Sequence, residues 1–299
     1  MANPFQHMDK VIEHIYANLA AEQSHQLSID VISNIAGFSK YHFHRVFQAY
    51  TGVTLHKYIQ LLRLKKASYH LAFEPALKII DIALDAGFES HEAFSRAFKK
   101  IYQQSPSQFR AKPQWEDWMD KYRFQQSNYQ EGEYMPANPA HHNHQEVHII
   151  DFNQLQVALL SHTGAPKKLN HSIANFIEWR KSTNYSPITT SRTFGIAYND
   201  PNAVAEEDFK FDVCASVTEA ISENPQGVTN SIIPHGRCAT LIHYGSHDLM
   251  GDKIYYLYRD WLPQSGESLR SYPCFFEYKN FFPQVPESEL VTIIYLPIE

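Results

Sequence analysis

Residues 79–110 read IIDIALDAGFESHEAFSRAFKKIYQQSPSQFR, and this stretch decides the fold of the first part of the chain. An apolar segment, 79–86, runs to Gly87. Ser90 follows, and then Phe94, Ala97, Phe98 and Ile101 recur at i, i+3, i+4 and i+7. The pattern predicts two short helices around a tight turn. Glycine permits the turn, serine caps the second helix, and the apolar stripe faces a core. The same pattern occurs upstream: Ala36-Gly37-Phe38 precedes Ala86-Gly87-Phe88 by fifty residues. With one extra residue in the second turn, Phe43, Arg45 and Phe47 precede Phe94, Arg96 and Phe98 by fifty-one. Ser39 is the matching cap. This is a helix-turn-helix, made twice.

Each second helix divides into two faces. Phe43, Val46, Phe47 and Tyr50 form one stripe; Tyr41, His44, Arg45 and Gln48 share the opposite side. In the later copy the outward set is Glu92, Ser95, Arg96 and Lys99, with His91 beside it. This chemistry suits a major groove: arginine forks onto guanine, glutamate accepts from cytosine, and tyrosine packs on a thymine methyl. The plainer reading of either set is a solvated helix face. The matching positions of Arg45 and Arg96 inside a repeated turn favour groove readers. Tyr41, His44, Arg45, Gln48, His91, Glu92, Ser95 and Arg96 are therefore the expected base readers. Lys57, Arg63, Lys65, Lys66, Lys99, Lys100 and Arg110 are the expected phosphate contacts. Leu55, Tyr58, Ile59 and Leu62 predict a spacer helix over 55–73, ended before Pro75. At about 1.5 Å per residue it spans roughly 28 Å, near the ~34 Å between successive major grooves.

The net charge of −6 hides a division. Residues 1–113 carry 13 Lys and Arg against 9 Asp and Glu, a net of +4; residues 114–299 carry 13 against 23, a net of −10. Different partners are expected for the two parts. With 43% hydrophobic residues the chain can bury a core, and no apolar run is long enough to span a membrane. The start, MANPFQHMDK, lacks the layout of a signal peptide, so a cytoplasmic protein is expected. Cys214, Cys238 and Cys274 match no zinc spacing and read as buried, reduced thiols. No cofactor is expected.

Over residues 8–112, from VIEHIYANLA through AGFSKYHFHRVFQAYTG to the opening stretch, the chain resembles the AraC/XylS regulators. The resemblance implies a transcription regulator whose two readers enter adjacent major grooves. It places Tyr41, His44 and Arg45 among the base contacts of the first, and His91, Glu92 and Arg96 in the second. Two readers per chain allow a monomer to read a non-palindromic site. RNA polymerase is an expected further partner.

Residues 114–146 are polar and irregular and read as a linker. Its His141, His142 and His144, with His148 just beyond, lack a carboxylate or cysteine framework, so no metal site is expected. From about 147 a second repeat begins. VALLSHTG at 157–164 matches CATLIHYG at 238–245 with an offset of 81, and Trp179 matches Trp261 within expected helices 170–181 and 251–262. Tyr198 matches Tyr278 at 80, and the last strands, 209–217 and 290–298, match at 81. The expected architecture is multi-domain. An all-α double helix-turn-helix domain (1–113) and a linker (114–146) precede an α+β domain of two similar halves (147–299). A cleft between the halves is the expected ligand site.

Residues 147–299 resemble the GyrI-like (SHS2-type) effector-binding domains through HTG at 162–164, FDVCASV at 211–217, DWLPQSGESLR at 260–270 and the final IIYLPIE. The resemblance implies a drug-like ligand, often cationic, met by a glutamate in the last strand; that position is Ile293. A second acidic position falls on Phe276, while Asp212 keeps its carboxylate. Isoleucine does not offset the cost of desolvating a cation. Either a neutral aromatic or lipophilic ligand or no small ligand at all is therefore expected, with Phe194, Tyr198, Asp212, Tyr244, Tyr256, Phe276, Tyr278 and Ile293 as the candidate surroundings. The bland reading of these aromatics is ordinary core. Two alternatives stay open, a protein-interaction module and a hydrolase, and the lost carboxylates weigh against the second.

Overall fold

The computed structural model describes residues 7–115, 146–201, 203–282 and 284–299, with the Tyr41 side chain left out. The expected linker and its His141, His142 and His144 lie outside the described residues. Two compact units divide the chain, Met1–His141 and His142–Glu299.

The first unit is helical: α1 (Met8–Ala17), a 3-10 segment (Ala21–Leu27), α2 (Ile29–Ala36), α3 (Lys40–Thr51), α4 (Leu55–Phe73), α5 (Ile79–Asp85), α6 (His91–Tyr102) and α7 (Pro106–Ala111). Hydroxyl caps start most of these helices. Ser39 and Ser90 accept from the His42 and Ala93 amides at 3.5 and 3.1 Å, and Ser105 with Gln108 forms a reciprocal capping box. Gly37 and Gly87 take φ of +70° and +78°, the left-handed turn that both copies require. Phe43 meets Phe47, and Phe47 meets Tyr58 edge-on at 5.4 Å, which locks α3 onto α4. Phe94, Phe98, Tyr102, Phe109 and Trp115 form the matching core of the second copy.

The second unit orders its elements as β1 (His148–Phe152), β2 (Leu155–Thr163), α8 (Leu169–Ser182), β3 (Thr193–Ala197), β4 (Lys210–Ser216), β5 (Thr229–Ile233), β6 (Gly236–Tyr244), α9 (Gly251–Tyr256), α10 (Leu262–Ser265), β7 (Cys274–Tyr278) and β8 (Val291–Pro297). The expected single helix over 251–262 is split by a wide π turn at Leu257–Trp261. Pro263, in the first turn of α10, lacks an amide hydrogen, and its ring would strike the Arg259 carbonyl in a regular α-helix.

All eight strands form one antiparallel sheet, β1-β6-β8-β7-β3-β4-β2-β5. A pseudo-two-fold passes between Gly195 and Phe276, which face each other across the β3–β7 seam. Every pairing obeys the offset of 81: Val157↔Ser216 becomes Cys238↔Pro297, and Leu155↔Ile233 becomes Phe152↔Gly236. The edge strands are exchanged, since β1 pairs with β6 of the later half and β5 with β2 of the earlier one.

That exchange forces curvature. β1 and β2 are separated by two residues in sequence but six strand positions in the sheet. Two residues bridge at most ~11 Å, while six positions in a flat sheet span ~29 Å. The sheet therefore curls into a half-barrel. Its outer face carries two separate cores, one under α8 with Phe176 and Trp179 and one under α9 and the π turn with Leu257 and Phe276. Its inner face gathers residues from both edges and the centre, Phe152, Val157, Phe194, Cys214, Cys238, Phe275 and Tyr295, into one cluster.

Candidate DNA-reading face and ligand groove

On α3, Phe43 and Phe47 are fully buried, while His44, Arg45 and Gln48 are exposed. On α6, Phe94 and Phe98 are buried, His91, Glu92, Arg96 and Lys99 are exposed, and Ser95 is half-buried. The Glu92 backbone amide and the Ser90 hydroxyl hold the Glu92 carboxyl below its ordinary value, so it stays an acceptor.

The expected phosphate contacts separate into two groups. Lys99 and Lys100 are exposed, and Lys57 on α4 is close enough to Lys100 for the like charge, together with burial, to lower its pKa. Lys66 is held by Asp85 at 2.8 Å. Three positions are corrected. Lys65 is only 4% exposed, on the buried side of α4. Arg63 turns inward: Nε donates to the Leu19 carbonyl at 2.9 Å, and Nη2 to Ser24 Oγ at 2.8 Å. Arg110 donates to the Leu77 carbonyl at 2.7 Å, bracing the turn before α5. Arg63 and Arg110 each turn at least one donor onto a backbone carbonyl of their own domain.

Strand alternation sorts the expected ligand residues as sharply. Phe194, Asp212 and Ile293 lie on the inner face, and Tyr198 joins them by donating to Asp212 Oδ2 at 2.7 Å. Tyr244 shares that face at its rim and is 66% exposed. Phe276, Tyr278 and Tyr256 do not join them, because they pack on the outer face under α9. The reason is register. Under the two-fold, Tyr198 corresponds to Lys279 and Tyr278 to Ala197, so the offset through β3 and β7 is 81 and not 80. A slip of one residue exchanges faces.

The same slip concealed the main polar group of the groove. Glu277, 2% exposed, lies on the inner face and accepts from Arg192 at 2.9 and 2.8 Å, Tyr295 Oη at 2.7 Å and Lys279 Nζ at 3.0 Å. Burial pushes its pKa up, but the hydrogen bonds outweigh burial and hold it at about 2. The Arg192 guanidinium also stands 5.0 and 5.4 Å from the Phe194 and Phe152 rings. Phe275 stacks on Tyr295 at 4.6 Å, and Phe152 closes edge-on over both. Beside Asp212, burial raises the Tyr272 hydroxyl to about 12. The signal in the sequence was Glu277 itself, an acid inside the apolar strand CFFEY.

The inner sheet face thus carries buried aromatic rings packed around a carboxylate whose charge is answered by two cations. Joined to a doubled helix-turn-helix, it defines a one-chain regulator with a reading unit and a sensing unit. The chain belongs to the family of GyrI-like small molecule binding domains, which matches residues 145–299, and carries an AraC-type helix-turn-helix domain, matched over 32–112. It is a transcription regulator. The probable transcriptional regulator YgiV of Escherichia coli is 44% identical over 153 residues, 51% of this chain and 96% of that protein. The right origin-binding protein of Escherichia coli is 42% identical over 89 residues, 30% of each chain. A solved EcmrR–DNA complex aligns with 91% of this chain and 98% of its own at 15% identity and a TM-score of 0.44, too loose a likeness to add to the reading.

Among the described residues no helix is long and apolar enough to cross a membrane, and no group of three or more metal-binding side chains occurs. Cys214, Cys238 and Cys274 are free and buried.

Proposed function

We propose that α3 and α6 read two adjacent major grooves, and that a neutral aromatic or lipophilic molecule on the inner sheet face modulates that reading. The observation that carries the DNA half is the correspondence of exposed residues at matching positions of α3 and α6, Arg45 with Arg96 and Gln48 with Lys99. Residues 1–113 serve as the reading domain, 147–299 as the sensing domain and 114–146 as their connection. A regulator of this kind works in the cytoplasm, on duplex DNA and with RNA polymerase as its partner. Hydroxyl-radical footprinting of the full chain on its genomic sites tests the reading. Two protected segments about one helical turn apart on one face support it; a single protected segment refutes it.

The sensing half follows from Glu277. Its charge is already met by Arg192 and Lys279, so a cation on the inner face would gain only from Asp212, whose Oδ2 is held by Tyr198 and whose buried Oδ1 is unpaired. The same pairing speaks against a hydrolase: a general base works best with a pKa near the working pH, far above about 2. A protein-interaction role has one observation in its favour, Ile149 and Ile150 exposed at 45% and 39% on the edge strand β1.

A further inference from the structure

Arg63 lies between the two helix-turn-helix units. Its Nε and Nη2 tie α4 to Leu19, Ala20 and Ser24 of the first unit. Its Nη1 lies over the turn of the second, 2.6 Å from where a side chain on Gly87 would begin, and the φ of +78° at Gly87 favours glycine there. Beside this bridge is a cavity of about 220 Å³. Leu27, Ile59 and Phe88 supply apolar wall; Ser24, His56 and Gln60 supply polar edge.

The charge balance at this cavity is incomplete. The oxygens that Arg63 contacts belong to two carbonyls and a hydroxyl, all neutral. Asp85, the carboxylate whose field reaches it, is engaged by Lys66 at 2.8 Å. Burial accordingly lowers the Arg63 guanidinium from its ordinary value, and Asp85 restores only part. A half-buried guanidinium beside a cavity with one apolar wall favours an anion that carries an apolar body.

We propose that this cavity is a second ligand site, separate from the sheet groove, that takes a small organic carboxylate. The charge meets Arg63, and an aromatic or short aliphatic body lies on Leu27, Ile59 and Phe88. A seated carboxylate competes with Ala20 and Ser24 for Nη2, so it loosens the tie between the first unit and α4. Occupancy thereby acts on the spacing of the two readers and not on the bases that either recognises.

The test uses the full chain without DNA, so its outcome is independent of the groove-reading proposal. Benzoate and octanoate are titrated against benzamide, octanamide and inorganic phosphate, with the amides of Gly87 and Gly37 and the Arg63 side-chain N–H followed by NMR. The expected result is a saturable shift at Gly87 and Arg63 with the carboxylates, Gly37 unmoved, and the uncharged amides weaker by about tenfold or more. Arg63→Gln abolishes the preference. Gln60→Glu repels the anion while leaving the Arg63 bonds in place, and weakens the carboxylates by a similar factor even if the Arg63 variant fails to fold. Equal shifts from benzoate and benzamide overturn the proposal. So do carboxylate shifts confined to the sheet groove. Inorganic phosphate acting as strongly as benzoate also overturns it, since that marks a seat for the DNA backbone.

Discussion

Arg192 grips Glu277 through two parallel hydrogen bonds, Nε to Oε1 at 2.9 Å and Nη2 to Oε2 at 2.8 Å. Glu277 holds its charge at about 2 in the folded chain, against an ordinary value of 4.5. A carboxyl depressed by folding contributes stability that is complete above the unfolded value and is lost as pH falls through the folded one. The expected contribution, roughly 3 kcal/mol, disappears between about pH 4.5 and 2. Urea unfolding of the sensing unit across that range checks it. Glu277→Gln flattens the acid limb and is less stable at pH 7, because it leaves Arg192 without its anion. An unchanged acid limb removes Glu277 as its source.

The reading faces predict a division of labour. Arg45→Ala and Arg96→Ala each cost about 1–3 kcal/mol of DNA affinity and relax preference in different halves of the site. Lys100→Ala weakens all sequences alike and lowers the salt slope by about one. Lys66→Ala does much less than Lys100→Ala, since Asp85 already occupies that ammonium. Salt-dependent titrations of a randomised operator separate these outcomes. Retained specificity in both arginine variants sinks the groove assignment.

Gln103 closes α6 with φ of +59°, the one described non-glycine residue in the left-handed region. Gly37 and Gly52 do the same work at the ends of α2 and α3. Gln103→Gly is expected to stabilise the reading unit by about 0.5–1 kcal/mol, seen as a raised Tm with DNA affinity unchanged. A lowered Tm shows that the Gln103 side chain, which donates to the Lys100 carbonyl, outweighs the strain.

The double helix-turn-helix was legible because its signals are local: a glycine that must turn left-handed, a serine two or three residues on, and a stripe at helical spacing. The direction of a long basic side chain was not. Arg63 and Arg110 look like phosphate contacts in sequence, yet each bends back onto a carbonyl left open by a helix end or turn, a contact set by tertiary packing. In the sensing unit the two-half architecture was legible from the 81-residue repeat, and strand alternation sets Asp212, Phe194, Tyr198 and Ile293 on one face. The acidic position that the resemblance implies at Phe276 is one residue off the inner face, where Glu277 lies. Edge exchange of β1 and β5 had no local signal, because the pairing of an edge strand is decided by the closed sheet.

Ile293 is the two-fold partner of Asp212 and lies directly opposite Glu277 across the β7–β8 ladder. Opposed residues hold their Cβ atoms about 4.5–5.5 Å apart. In the native groove that neighbourhood is positive on balance, because both Arg192 and Lys279 answer the single carboxylate of Glu277. A cation entering it loses water without gaining an unpaired anion, a cost of several kcal/mol, of which ring faces return roughly 0.5–2. The neutral member of a matched pair, a quaternary ammonium dye and its uncharged isostere, is therefore expected to bind tighter by tenfold or more, about 1.4 kcal/mol. Ile293→Glu sets a second carboxylate against Glu277, and the repulsion is relieved by a cation, so preference moves toward the dye. Ile293→Gln, polar but uncharged, leaves the order as in the native chain. Calorimetry on the three proteins reads these outcomes. A native chain that prefers the cation, with Asp212→Asn leaving that preference intact, shows that Glu277 reaches the ligand despite Arg192 and overturns the neutral-ligand reading.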